Sequence, residues 1–316
     1  MKIFNKNRIR NLVIVLCLFV FPFNLVAQQQ AQFTHFMYHS QNYNPAFVGL
    51  YQNKSLLVSY RKQWIGIEGA PKTQTFSYGG PTKLKGLGFG IGVINDQIGP
   101  TSKNTFDLDF SYAISISKSS HVAFGIKGSA NILNVNFNLL NPDNSIGMDP
   151  TLINNIDNQV SPNVGAGILY YNNTFYAGLS VPSLLETIYF QKSSVSISQE
   201  KMHFYFTSGL VKEISSNIKF RPSLIIKAVA GSPIQTDIGV AFLLAKKVSL
   251  AVSYRVNTAL SGLVGYQFSK PFFIGLSYDK ATTNLGQDIS GRGSVEVVMR
   301  YVFIKKSTSP APDFMF

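Results

Sequence analysis

Thr105-Phe106-Asp107-Leu108-Asp109-Phe110-Ser111-Tyr112-Ala113-Ile114 is the stretch that decides the fold. Phe106, Leu108, Phe110, Tyr112 and Ile114 fall on one face of an extended chain. Thr105, Asp107, Asp109, Ser111 and Ala113 fall on the other. Successive side chains of a strand point to opposite faces, so this is strict period-2 alternation. One face is apolar and aromatic; the other is small, polar and acidic. Ten residues suffice to cross a bilayer as a tilted strand. A charge on the lipid side would cost roughly 2–4 kcal/mol at the midplane, so the sorting of Asp107 and Asp109 onto the small-residue face carries information.

The pattern returns near the end of the chain. Val248, Leu250, Val252, Tyr254 and Val256 oppose Ser249, Ala251, Ser253 and Arg255. Phe272, Ile274, Leu276 and Tyr278 oppose Phe273, Gly275, Ser277 and Asp279. Val295, Val297, Met299, Tyr301 and Phe303 oppose Ser294, Glu296, Val298, Arg300 and Val302. Each apolar face carries Tyr or Phe near an end, as an interfacial aromatic girdle requires. Extending the reading predicts strands at 54–62, 72–80, 86–94, 103–115, 120–133, 162–171, 174–180, 203–211, 217–228, 234–244, 247–256, 258–268, 271–279 and 293–304. That is about fourteen, an even number, as in bacterial single-chain barrels. The predicted fold class is all-β: a transmembrane antiparallel β-barrel of about fourteen strands. Lumen-facing positions are expected at Arg61, Asp107, Asp109, Arg255, Asp279, Glu296 and Arg300.

Composition agrees. Hydrophobic residues make up 45% of the 316 and charged residues only 14%, well below the quarter usual in soluble domains. No stretch after the first thirty residues is a helical span. A barrel reconciles these facts, because only alternate strand residues meet lipid. A soluble β-sandwich shares short alternating strands, but not this Gly-rich, charge-sorted pattern.

The N-terminus reads as an export signal. Lys2, Lys6, Arg8 and Arg10 precede an apolar run from Leu12 to Phe23, and Leu25-Val26-Ala27 offers a small residue before Gln28. Residues 1–27 are therefore expected to be a signal peptide. Residues 28–53 are expected to plug the lumen or to lie on the periplasmic side. Residues 54–304 are expected to form the barrel, and 305–316 a tail whose prolines bar a further strand. Cys17 is the one cysteine and lies in the signal; Leu16 before it is wrong for a lipoprotein. The mature chain then has no disulfide or cysteine metal site. The net charge of +13 lacks the clustered run of a nucleic-acid binder. It suits anionic lipid head groups or an acidic partner.

Other motifs carry little chemistry. Gly86 to Gly92 alternates glycine without a βαβ unit, so it is no dinucleotide loop; in a barrel strand it permits close approach of a neighbour or plug. His35 and His39 lack the helix that would make them a metal pair, and a solvated or interfacial role is expected. Asp143, Asp149 and Asp157 lack EF-hand spacing and read as a polar outer loop. Asn172-Asn173-Thr174 reads as left-handed turn residues. No nucleophile elbow appears. The expectation is no enzyme, no cofactor and no metal.

One set of motifs is more specific. Tyr43-Asn44-Pro45-Ala46-Phe47-Val48-Gly49, Tyr60-Arg61-Lys62-Gln63-Trp64 and Ala70-Pro71-Lys72-Thr73-Gln74-Thr75 resemble the PorP/SprF family of type IX secretion membrane proteins. So do Asp96-Gln97-Ile98-Gly99, His203 to Gly209, Arg221-Pro222-Ser223, Asp237, Ser253-Tyr254-Arg255 and Ser277-Tyr278-Asp279. The resemblance covers essentially the whole mature chain. It departs at Val295, where the family pattern has His before the Glu. It implies an outer-membrane protein of the Bacteroidota that helps export and anchors a secreted surface adhesin through its C-terminal domain. Partners would be that adhesin, other type IX components and outer-membrane lipid, with no nucleic acid. The expected partner-binding residues are Tyr43, Asn44, Pro45, Arg61 and Trp64, at a rim shared with the loops around 134–161 and 181–202; the competing reading makes Trp64 a girdle aromatic and Asn44-Pro45 a structural turn. The competing function is a porin or transporter for small solutes.

Overall fold

The computed structural model describes residues 32–34, 36–50, 53–140, 155–188, 191–192, 195–196, 199–283 and 293–304. The expected signal peptide, His35, Asp143, Asp149 and the tail from 305 lie outside the described residues. Fourteen long strands run in chain order: β1 (Lys54–Lys62), β2 (Lys72–Pro81), β3 (Leu87–Ile98), β4 (Thr101–Ser115), β5 (His121–Val135), β6 (Ile156–Tyr171), β7 (Phe175–Val181), β8 (His203–Leu210), β9 (Ile218–Val229), β10 (Gln235–Leu244), β11 (Val248–Arg255), β12 (Ala259–Gln267), β13 (Phe272–Ala281) and β14 (Ser294–Phe303). Each pairs antiparallel with the next, and β14 pairs with β1 from Lys54↔Phe303 to Lys62↔Val295, closing the barrel. Tyr301 and Phe303 thus lie on the closing seam.

The two faces of each strand differ as the alternation requires. On β4, Phe106, Leu108, Phe110, Tyr112 and Ile114 are exposed, while Asp107, Asp109 and Ser111 are buried inside. Phe110 is 43% exposed and Asp109 0%. Replacing Phe110 by Arg should cost roughly 2–4 kcal/mol of stability. Asp109→Asn should cost clearly less, because Lys127 keeps its closer partner Asp107. Urea titration of the barrel's heat-resistant gel band tests both. Equal losses would contradict this assignment of faces.

The six turns 82–86, 116–120, 172–174, 211–217, 245–247 and 268–271 gather at one end, here the turn end. The four longest connections, 63–71, 136–155, 182–202 and 282–293, gather at the other, the loop end. The turn at 245–247 is tight because Ala245 and Lys246 both take left-handed backbone, with φ of 48° and 56°. The turn at 172–174 works differently from the expectation. Asn172 and Asn173 are not left-handed. Instead the Asn172 carboxamide oxygen accepts from the backbone N–H of Thr174 at 2.9 Å and of Phe175 at 2.8 Å, an Asx turn.

Candidate functional site

A barrel of fourteen strands is too wide for its own side chains to fill, and here the inward residues are mostly small. Ser59, Ser77, Ser111, Ser223, Ser249 and Ser277 are all buried on the inner face. The remaining space holds residues 32–50. Phe33, Phe36, Met37, Ala46, Phe47, Val48 and Leu50 are buried there against the wall. A short helix α1 (Ser40–Tyr43) and a 3-10 turn (Pro45–Phe47) give this inner segment its shape.

The direction of the inner segment follows from its partners. Gln32 accepts from Arg255 at 2.8 Å, and Thr34 meets Asp279 and Glu296, all at the loop-end tips of their strands. Ala46 lies against Gly125, and the Gly49 N–H donates to the Ser111 hydroxyl at 2.9 Å, both near the turn end. The segment therefore threads the interior from the loop end to the turn end, and then enters β1.

Asn44-Pro45-Ala46 seats this thread. The Asn44 carboxamide oxygen accepts from Ala46 N–H at 2.9 Å, capping the 3-10 turn. Its NH2 group donates to the Ile168 carbonyl at 3.2 Å. Pro45 occupies the first position of the turn, where no N–H is needed. The wall makes room with glycine. A Cβ on Gly125 would collide with Ala46, one on Gly167 with Asn44, and one on Gly88 with Gly49.

Charge is settled in the same way. The buried set holds five cations (Arg61, Lys127, Arg221, Arg255 and Arg300) and five carboxylates (Asp107, Asp109, Asp237, Asp279 and Glu296). Among the described residues these buried charges balance, and the half-buried Lys227 faces the same interior beside Asp237 and Arg255. Arg61 meets Asp279 at 2.6 Å and Glu296 at 3.4 Å, and also donates to the Thr34 hydroxyl. Glu296 further accepts from the Thr34 N–H at 2.7 Å and lies 3.1 Å from His39 Nε2. Arg255 meets Asp237 at 2.9 Å. Lys127 meets Asp107 at 2.9 Å, and Asp109 accepts from Gln41 at 3.0 Å. Arg221 donates to the Met37 carbonyl at 3.2 Å. Arg300 lies 5.7 Å from the Tyr38 ring and 5.5 Å from that of Phe273.

His39 corrects the sequence reading. It is buried on Glu296 and stacked on Phe33 at 4.1 Å, neither solvated nor interfacial. Lys127, Thr34 and Gln41 were not legible as site residues, although the alternation around Lys127 in Phe124-Gly125-Ile126-Lys127-Gly128 was available as a signal. Of the expected partner-binding residues, Asn44, Pro45 and Arg61 are buried inside the barrel and Tyr43 is half-buried there. Trp64 lies apart from them, at the loop end, 42% exposed. Its backbone is left-handed, with φ of 45°, which is a strained conformation for a bulky side chain.

Several solved structures are similar to this chain. The outer membrane protein Omp33 of Acinetobacter baumannii is 10% identical, with 81% of this chain and 100% of that chain covered and a TM-score of 0.46. The toluene transporter TbuX of Ralstonia pickettii is 13% identical over 84% and 92%, with a TM-score of 0.46. The monoaromatic hydrocarbon channel CymD is 11% identical over 90% and 100%, with a TM-score of 0.48. No curated protein matches in sequence. The family model for the type IX secretion system membrane protein PorP/SprF matches residues 25–301. The chain is an outer-membrane β-barrel and belongs to the PorP/SprF family of the type IX secretion system.

Proposed function

We propose that this barrel helps export a secreted surface adhesin and holds it at the cell surface by its C-terminal domain, without catalytic chemistry of its own. Short turns in such barrels face the periplasm and long loops face outward. On that rule the loop end, with Trp64, is the outer surface. The observation that carries the reading is Trp64. A large aromatic is left exposed there and held in strained backbone, and such strain concentrates at functional sites. Trp is also among the residue types enriched at binding hot spots. Arg61 serves the rim indirectly, by tying the loop end of β1 to the thread, while Tyr43, Asn44 and Pro45 seat the thread nearer the turn end. The occupied interior weighs against a solute channel. Family membership supports partners among the other type IX components.

The test is deletion of the gene. Other type IX cargo should still cross the membrane, while one large client appears in the medium or is degraded. Loss of all cargo alike would make the protein part of the core machine. A client still attached normally would end the anchoring reading.

A further inference from the structure

The two ends of the barrel differ in charge. At the loop end, exposed Lys72 and Lys280 are accompanied by exposed Glu68, Asp157 and Glu186. At the turn end the exposed charges are almost all lysine. Lys83 and Lys85 lie in the turn after β2, and Lys118 in the turn after β4. Lys212 lies after β8, Lys246 and Lys247 after β10, and Lys270 after β12. Among the described residues the one carboxylate at this end is Glu213, and Lys219 sits 3.3 Å from it. The lysines are spread around the circumference instead of being gathered on one side.

Four of these turns also carry a large exposed apolar side chain beside the lysine. Leu84 stands between Lys83 and Lys85, Ile116 near Lys118, Ile214 near Lys212, and Phe268 near Lys270. Just inside them runs an aromatic girdle. Tyr78 packs against Phe303, and Lys54 lies 6.0 Å over the Tyr78 ring. An apolar side chain at the acyl boundary with a lysine reaching to the phosphates is the pattern of a group seated in a lipid head-group layer.

We propose that the turn end is a binding ring for anionic phospholipid, in which the apolar tips enter the membrane interface and the lysines pair with head-group phosphates. An acidic protein is the competing occupant. It would explain the charge, but not the repeated apolar partner or the spread of lysines over five of the six turns.

The experiment uses the full chain in detergent, mixed with equal amounts of phosphatidylglycerol and phosphatidylcholine. Retained lipid is quantified after size exclusion. A lysine near an anionic surface multiplies binding roughly fivefold, so phosphatidylglycerol should be enriched about tenfold or more and the enrichment should fall as salt is raised. A variant with Lys83, Lys85, Lys118, Lys246, Lys247 and Lys270 all changed to Gln should return to near parity. The six make no ion pair among the described residues, and a heat-shifted gel band verifies that the variant is folded. Should it misfold, the double variants K83Q/K85Q and K246Q/K247Q are each expected to lower the enrichment in part. A loop-end control, K72Q/K280Q, should keep it. Enrichment that survives the six substitutions overturns the proposal. So does parity in the native chain, or unchanged lipid accompanied by loss of a co-purifying acidic protein.

Discussion

Removal of residues 32–50 is expected to turn a barrel with an occupied interior into an ion-conducting pore. The reason lies in the division of labour inside. The wall offers Ser and Gly inward, and the volume is taken up by Phe33, Phe36, Met37 and Phe47 from the thread. Without the thread, Asp109 loses Gln41, and Asp279 and Glu296 lose Thr34. Water would have to enter to solvate them, because unpaired buried charges are costly. A fourteen-strand wall falls just short of the 16–18 strands at which porins hold an aqueous channel. The intact chain should pass little current in a planar bilayer, and the deleted chain a steady, salt-dependent one. Gly125→Leu gives a gentler version, since its side chain would occupy the place of Ala46; intermittent opening is expected. Silence from both variants would mean that something other than the thread seals the barrel.

The second large effect is expected at Glu296. It is fully buried and ties its own strand β14 to two other elements: Arg61 on β1, and Thr34 and His39 on the thread. Glu296→Ala leaves Arg61 to Asp279 alone and strips His39 of its carboxylate. Breaking a buried pair from one side costs roughly 3–5 kcal/mol. The loss should appear as a lower urea midpoint for the heat-resistant gel band. Glu296→Gln keeps the shape and one acceptor, and should lose less than half as much. Equal losses for the two would mean that the charge alone, not the shape or a neutral acceptor, matters at this position.

These two sites mark the boundary of what the sequence discloses. The strand β4 was legible because lipid on one side and a filled interior on the other leave a period of two in Phe106 to Ile114. The ends of β3 and β6 were less so. Asn95, Asp96 and Gln97 close β3, and Ile156 to Ser161 open β6. Neither stretch carries apolar alternation, and Pro162 argues locally against a strand. The outermost turns of the sheet extend past the apolar girdle, so hydrophobicity cannot report them. The thread was the least legible part. Thr34 and Glu296 are 262 residues apart in the chain, and no local pattern connects them. The motif Asn44-Pro45-Ala46 stood out by type, but its meaning as a seat against Gly125 and Gly167 depends on strands more than seventy residues away.

A loop end that holds an exported protein, as proposed, should be within cross-linking reach of it. The most direct test is a photo-activated cross-linker placed at position 64 in living cells, with Leu108 on the lipid face as the control. Position 64 should give one high-mass adduct whose peptides belong to the C-terminal domain of a secreted surface protein, and position 108 should give none. Adducts at both positions alike, or none at position 64 in cells that display the client normally, would contradict the account.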